Sequence, residues 1–233
     1  MTEIIHAGES IRAVLFDFNG TLSNDEPLVF EAYRSTCTSH LGWTLDRRFY
    51  DEYLVGRCDD EMLDVIIATA GEGAFSRLEL LEERHRQYVR QILRRSSISV
   101  ATTELVRRLR KLDILLGVVS GAERRDINFV LDRAHLQDAF DVVISQEDVV
   151  RHKPDPEGYR LAMRMLGVAA HQTVAFEDSL VGIQAAKAAG ALCVAVEGTH
   201  ARDVLVQAAN LVVPVMGPEV WSLIVRRVSD SQR

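Results

Sequence analysis

Short apolar runs that alternate with helical patterns make up most of the chain. The first run, RAVLF at 12–16, ends at Asp17 and the turn-forming pair Asn19-Gly20, which is typical of a buried strand that meets a loop. Further strands are predicted at 114–119, 141–144, 173–176 and 192–196, with a weaker one at 211–213. Helices are predicted at 101–112, 123–134, 155–166, 179–189 and 201–208. This alternation predicts a parallel sheet covered on both faces, which is an α/β Rossmann-like core.

The alternation stops between about 25 and 95, where the patterns are helical only. Helices are predicted at 26–40, 46–54 and 59–70, followed by a long charged helix from Glu72 to Arg95. Its basic part, LEERHRQYVRQILRR, is interpreted as a solvated helix with ion pairs four residues apart. The block predicts an all-α cap domain (25–95) on a core formed by 1–24 and 96–233. We expect a cleft between them.

Composition limits the classes of function. With 233 residues, 47% of them hydrophobic, the chain can bury a substantial core. Its three cysteines form no C-x-x-C pair, so neither a zinc site nor a disulfide framework is predicted. A net charge of −7 argues against a broad nucleic-acid surface. No signal peptide and no run of about 18 apolar residues is evident. We therefore expect a cytoplasmic monomer or homodimer.

Polar residues follow the predicted strands, where ligands bind in open α/β sheets. They are Asp17, Asn19 and Thr21 after the first strand, Ser120 and Gly121 after the second, Lys153 after the third, and Glu177 and Asp178 after the fourth. Carboxylates are ligands that Mg²⁺ prefers, and a carboxylate can also attack phosphorus. A lysine and a hydroxyl can stabilise the charge of a phosphoryl group. The set predicts phosphoryl transfer.

Four motifs resemble the haloacid dehalogenase-like phosphatases and mutases that carry a helical cap, near the β-phosphoglucomutase and sugar-phosphate phosphatase branch. They are VLFDFNGTL (14–22), VVSGA (118–122), HKPDPEGY (152–159) and FEDSLVGIQAAKAAG (176–190), in the family's order. The resemblance implies a magnesium-dependent phosphatase of a small phosphate monoester. It also implies that Asp17 is the nucleophile.

The resemblance implies roles for the remaining candidates as well. Asp17, the backbone carbonyl of Asn19, Glu177 and Asp178 would hold the metal. The substrate would be bound by Thr21, Ser120, Gly121 and Lys153. The segment GRCDDEML (56–63) resembles the family's substrate-contacting cap loop, which makes Arg57 a candidate specificity residue.

Asn19 departs from the family pattern, in which an aspartate at this position protonates the leaving oxygen and later activates water. An asparagine transfers no proton, and losing a general acid or base costs roughly 10²- to 10⁴-fold in rate. One alternative is an enzyme that prefers leaving groups that depart without a proton, such as acyl or aryl phosphates. Another is a substitute acid, Asp25 or Glu26. A third is deamidation at the Asn19-Gly20 bond, or an engineered asparagine.

Other functions are weighed against the phosphatase. A sugar phosphomutase would need an acid and a base, so Asn19 counts against it. Phosphonate cleavage through a Schiff base would need a cap lysine, and 25–95 contain none. Haloacid dehalogenation needs no metal and would leave Asp178 without a role. A catalytically silent phosphate-binding or regulatory protein stays open because of Asn19.

Overall fold

The computed structural model describes residues 11–71 and 75–229. Six parallel strands form one sheet in the order β3-β2-β1-β4-β5-β6. The strands are β1 (Ala13–Phe16), β2 (Leu115–Val119), β3 (Val142–Ile144), β4 (Thr173–Glu177), β5 (Leu192–Val196) and β6 (Leu211–Val213). The α/β Rossmann-like prediction is confirmed.

Ten α-helices lie in the described part of the chain. They are α1 (Glu26–Thr36), α2 (Arg47–Tyr53), α3 (Asp59–Ala70), α4 (Arg77–Arg94), α5 (Val100–Arg110), α6 (Arg124–Arg133), α7 (Glu157–Leu166), α8 (Leu180–Ala188), α9 (Arg202–Ala208) and α10 (Pro218–Ser229). A π-helical turn over Cys37–Leu41 extends α1.

One helix prediction needs correction, and one helix was missed. The long charged helix begins at Arg77 and not at Glu72, since Ser76 caps it: the Ser76 hydroxyl accepts the Glu79 N–H, and the Glu79 carboxylate accepts the Ser76 N–H. Residues 72–74 lie outside the described residues. Helix α10 was not predicted, although its buried Val220 and Ile224 have the four-residue spacing of a helix face.

The sheet order places the switch in chain direction between β1 and β4. From β1 the chain passes to β2 and β3 on one side and then returns to β4 on the other. Phe16 on β1 is aligned with Val118 on β2 and with Phe176 on β4. The carboxyl ends of these central strands therefore meet at one edge, where ligands bind in such sheets.

Apolar residues cover both faces of the sheet because side chains alternate along each strand. On β1, Val14 and Phe16 point into the cluster that contains residues of α5, α6 and α10, whereas Leu15 points into the cluster with α7, α8 and α9. Burial on both faces explains why the strands are continuous apolar runs in the sequence. The sheet is thus a rigid base for the loops at its carboxyl edge.

The helical insert, by which we mean residues 25–95, has an apolar cluster of its own. Tyr33, Leu54, Leu63 and Ile66 are buried in it. Asp46 caps α2 by accepting the Phe49 N–H at 2.8 Å. That the insert is a separate cap domain with boundaries at 24/25 and 95/96 stays a prediction. Among the described residues, no helix combines the length and apolar character that crossing a membrane requires.

Candidate active site at the carboxyl edge of the sheet

Three carboxylates meet where β1 and β4 end. Asp17 follows β1, Glu177 ends β4 and Asp178 follows it, and their ligand oxygens lie within 4.8 Å of one another. The Asp17 N–H donates to the Phe176 carbonyl at 2.9 Å, which extends the pairing of the two strands to the site. All three residues are buried. The parallel sheet therefore brings together the carboxylates that follow β1 and end β4 in a dense negative site.

This crowding changes the acidity of the site. Burial, followed by the charge of Glu177, raises the pKa of Asp17 well above its ordinary value. The same two causes raise the pKa of Asp178 to about 7. A set of close, buried oxygen ligands is the chemistry that a hard divalent cation such as Mg²⁺ neutralises best. The residues present therefore fit a magnesium ion.

A glycine is required at position 20 because the backbone there packs against the Asp178 carboxylate. Its φ of +78° belongs to the left-handed region, and a Cβ there would lie 2.0 Å from Asp178 Oδ2. A side chain at this position would displace the Asp178 carboxylate. The Asn-Gly turn after β1 thus brings the backbone against the proposed metal ligand.

Lys153 supplies positive charge to the cluster. Its Nζ donates to Asp17 Oδ1, to Glu177 Oε1 at 2.6 Å and to the Val119 carbonyl at 3.0 Å. Although burial opposes the charged form, Asp17 and Glu177 outweigh it and raise the pKa of Lys153. Glu177 Oε1 also accepts the Tyr159 hydroxyl at 2.7 Å. The lysine is therefore held charged beside Asp17.

Ser120 and Gly121 form a turn after β2. The Ser120 hydroxyl oxygen accepts the Ala122 N–H at 3.0 Å, so its own proton is left for another acceptor. A Cβ on Gly121 would lie 3.2 Å from the Cα of Cys58, which belongs to the helical insert. The insert thus packs directly on the turn that would bind a phosphate.

Asn19 is bound to a buried acid. Its Nδ2 donates to Asp25 Oδ2 at 3.0 Å, and the Tyr88 hydroxyl donates to the same oxygen. Burial raises the pKa of Asp25 to about 7. Because the Asn19 amide nitrogen is turned toward Asp25, the amide oxygen is the atom left to accept a hydrogen bond on the other side.

One cavity between the helical insert and the sheet brings most of the predicted residues together. Its walls include Asp17, Asn19, Arg57, Ser120, Gly121, Lys153 and Asp178. Thr21 and Glu177 do not line this cavity. The Thr21 hydroxyl donates to Asp178 Oδ1 at 3.1 Å, and Glu177 lies behind Lys153, so both contact the site from its rear. Thr21 is therefore placed to orient Asp178, and its contact with a substrate stays a prediction.

Arg57 lies at the open side of the cavity. It is exposed, and its Nε donates to the Tyr53 carbonyl at 2.7 Å, whereas its two terminal nitrogens have no hydrogen-bond partner among the described residues. Of the two proposed substitute acids, Glu26 lines the cavity and accepts the Tyr50 hydroxyl at 2.7 Å. Asp25 does not line the cavity and lies behind Asn19.

The sequence prediction missed several residues that line the cavity or bind the predicted site residues. Thr199, after β5, donates its hydroxyl to Asp178 Oδ2, and the rule that polar residues follow strand ends could have found it. Tyr159 ends the motif HKPDPEGY (152–159) and was assigned no role there, although its hydroxyl donates to Glu177. Arg84 was interpreted as part of a solvated helix, which is wrong: it is 2% exposed and lines the cavity. Its burial depends on packing across the cavity, which helical spacing does not reveal.

Comparisons with known proteins show which family the chain resembles. The sequence profile of a family described as haloacid dehalogenase-like hydrolase matches residues 11–190. The chain is 32% identical over 197 residues to validoxylamine A 7'-phosphate phosphatase of Streptomyces hygroscopicus subsp. limoneus, across 84% of this chain and 91% of that protein. It is 30% identical over 185 residues to a phosphorylated carbohydrates phosphatase of Thermotoga maritima, across 77% and 82%.

A solved structure shows the same fold. The crystal structure of CbbY from Rhodobacter sphaeroides in complex with phosphate superposes with a TM-score of 0.79 at 27% identity. The superposition covers 88% of this chain and 95% of that one. The likeness thus spans most of both chains.

Proposed function

The chain belongs to the haloacid dehalogenase-like hydrolase family, and from this premise we propose that it is a magnesium-dependent phosphatase of small phosphate monoesters, with Asp17 as the nucleophile. The observation that carries the proposal is the group of Asp17, Asp178 and Lys153 on one cavity wall at the switch point of the sheet. A nucleophilic carboxylate, a metal ligand and a fixed cation are the parts that phosphoryl transfer requires.

The relatives suggest the class of substrate. Two of them are named for phosphorylated carbohydrates and for validoxylamine A 7'-phosphate, which are phosphorylated small molecules. We infer that this chain also acts on a phosphorylated small molecule of the sugar type. Arg57 lines the cavity, and no described residue accepts a hydrogen bond from its terminal nitrogens, so it is proposed to contact the part of the substrate beyond the phosphate.

Asp17, Asp178 and the Asn19 carbonyl would hold Mg²⁺, with Glu177 behind them. The ion would neutralise the charge of the phosphate oxygens. An oxygen of Asp17 attacks phosphorus, and the bond between phosphorus and the leaving oxygen breaks. Lys153 and Ser120 stabilise the charge on the transferring group. Water then attacks the phosphorus of the aspartyl phosphate, which releases inorganic phosphate and restores the Asp17 carboxylate.

Asn19 sets the limit on this chemistry. Its amide can orient water or a leaving group by a hydrogen bond but can supply no proton. We therefore propose that turnover is slow on alkyl phosphates and faster on leaving groups that depart as stable anions, such as acyl and aryl phosphates. Glu26 lines the cavity and Asp25 does not, so Glu26 is the better placed of the two substitute acids.

A second candidate is a phosphate-binding protein without turnover, which the Asn19 side chain favours. Magnesium-dependent hydrolysis of nitrophenyl phosphate, with Asp17→Asn as an isosteric control, separates the two functions. The phosphatase proposal expects turnover that disappears in Asp17→Asn and on chelation of the metal. If neither protein turns over while calorimetry shows phosphate binding with Mg²⁺, the binding function replaces it. Peptide mass mapping of Asn19 excludes deamidation as the source of activity.

A further inference from the structure

Arg84 on α4 lies at the centre of a buried ionic cluster between the helical insert and the rest of the described chain (11–24 and 96–229), which we call the sheet unit. Its Nη2 donates to Asp59 Oδ2 at 2.7 Å and to Glu123 Oε2 at 2.6 Å, and its Nη1 donates to Asp126. We call these four residues the Arg84 cluster. Asp59 belongs to the insert, whereas Glu123 and Asp126 flank the start of α6. One guanidinium therefore links two parts of the molecule.

The Arg84 cluster is joined to the turn that would bind phosphate. The Glu123 N–H donates to Asp59 Oδ2 at 3.2 Å, and the Asp59 N–H donates to the Gly121 carbonyl at 3.3 Å. Gly121 follows Ser120 and packs tightly against Cys58, since a Cβ on Gly121 would lie 3.2 Å from the Cys58 Cα. Displacing Asp59 would thus release the insert's loop from this turn.

Arg84 is the partner that the three carboxylates share, and each of them has one further side-chain contact. Arg125 Nη2 donates to Glu123 Oε2 at 3.1 Å, His85 Nδ1 contacts Asp126 Oδ1, and the Tyr33 hydroxyl donates to Asp59 Oδ1 at 2.6 Å. Arg84 Nε has no hydrogen-bond partner among the described atoms. Buried ion pairs contribute little net stability, but removing one partner leaves uncompensated buried charge. Separation of the insert from the sheet unit would hydrate all three carboxylates. Without Arg84, Asp59 keeps the Tyr33 hydroxyl and the Glu123 N–H as donors but has no cationic partner among the described residues, so the loss of Arg84 favours the separated arrangement.

We propose that Arg84 is a positioning residue that holds the insert's loop at Cys58 and Asp59 against the Ser120 turn and so keeps the cavity closed over Asp17. Arg84 acts through Asp59 and touches none of the reacting atoms. The proposal extends the proposed phosphatase function, because a closed cavity excludes water and completes the contacts to the substrate. Its structural part, closure, can be measured without turnover.

Cys58 is a built-in reporter of closure. It is 2% exposed beneath the contact with Gly121, and burial raises the pKa of its thiol to about 12. Cys37 lies within the insert and Cys193 on β5, and both are also buried. Separation of the insert from the sheet unit exposes Cys58 alone, whereas unfolding exposes all three. Labelling rates followed cysteine by cysteine with a thiol reagent and peptide mass spectrometry distinguish these events.

The test compares Arg84→Met with Arg86→Met, an exposed arginine on the same helix that pairs with Glu83 inside the insert. Arg84→Met should raise Cys58 labelling on the order of 100-fold over Cys37 labelling, and Arg84→Lys should restore part of the protection. Arg86→Met should leave all rates near those of the wild type. Equal acceleration at every cysteine, or no acceleration, would overturn the proposal.

A second variant covers the case in which Arg84→Met does not fold. Asp126→Asn keeps the arginine with two of its carboxylates and should still raise Cys58 labelling selectively, by a smaller factor.

In steady-state kinetics of the Arg84 and Asp126 variants, kcat/KM for a sugar phosphate should fall more than kcat/KM for acetyl phosphate, the probe that makes least contact with the insert. A mere loss of folded enzyme would lower both equally. An inactive chain would refute the phosphatase function and leave the labelling result decisive for closure.

Discussion

Exchanging the residues at positions 19 and 25 moves the acid into the cavity without removing the contact between them. In the wild type, Asn19 Nδ2 donates to Asp25 Oδ2 at 3.0 Å. In the double variant Asn19→Asp with Asp25→Asn, a protonated carboxyl at position 19 can donate to the amide oxygen at position 25. The variant keeps one acid in the pair and places it where a leaving oxygen can receive its proton.

The single variant Asn19→Asp is expected to behave differently. It puts two carboxyl groups about 3 Å apart, and two full charges at that distance would repel by about 5 kcal/mol at an effective dielectric constant near 20. The pair must then share a proton, so the activity of Asn19→Asp should depend more steeply on pH than that of the double variant. Asp25→Asn alone introduces no acid into the cavity and is the matched control.

The gain is expected in the leaving-group step. A restored general acid should raise kcat on a sugar phosphate by about 10²- to 10⁴-fold, or about 3 to 5 kcal/mol of activation free energy. Nitrophenyl phosphate departs without a proton and should gain less than about tenfold. Steady-state assays with Mg²⁺ on both substrates measure the difference. An equal gain on both, or none on the sugar phosphate with phosphate binding intact, would refute this reasoning.

Further predictions follow from single contacts. Burial raises the pKa of Asp25 to about 7 from 3.8, so between these values the folded state binds the extra proton and stability falls as the pH rises. Urea unfolding should therefore show Asp25→Asn gaining about 2 to 3 kcal/mol relative to the wild type between pH 5 and pH 8, and a constant difference would contradict the shift. A Cβ on Gly182 would lie 2.1 Å from the Glu177 carboxylate, so Gly182→Ala should displace this carboxylate and lower kcat at least about tenfold. The affinity of the variant for Mg²⁺ is measured in the same experiment. Full activity of Gly182→Ala would show that Glu177 is dispensable. Lys153→Met should lower kcat about 10²- to 10³-fold in the nitrophenyl phosphate assay, whereas Lys187→Met, which removes a contact to a carbonyl at the surface, should not. Similar rates for the two lysine variants would argue against a role of Lys153 in the reaction.

The strands were predictable because a strand buried on both faces is a continuous apolar run. The run at 12–16 became Ala13–Phe16, and the weak run at 211–213 became β6 with the same bounds. Helix ends were less predictable. The start of α4 at Arg77 depends on the single hydrogen-bonding cap at Ser76, and a helical pattern of apolar residues does not reveal which polar residue forms such a cap. The order of the strands in the sheet could not be predicted from the sequence patterns, because it depends on how the crossover helices pack and not on local spacing.

The same distinction applies to the site. Asp17, Lys153 and Asp178 were predicted because parallel strands bring their carboxyl ends to one edge, whatever their order. The ion cluster around Arg84 could not be predicted in this way. Asp59 and Asp126 lie 25 and 42 residues from Arg84 along the chain, and they meet it only because the helical insert packs on α6. A charged helix face that docks on another unit has the same sequence pattern as one in water.

The two polar networks that the sequence did not reveal share one helix. Arg84 and Tyr88 are four residues apart on α4, and side chains at that spacing lie on the same face. Tyr88 donates to Asp25, which binds Asn19, while Arg84 binds Asp59, which contacts the Gly121 carbonyl. A shift of α4 relative to the sheet must therefore change the surroundings of Asn19 and the turn after β2 together. This face of α4 would therefore couple the proposed closure of the cavity to the orientation of Asn19.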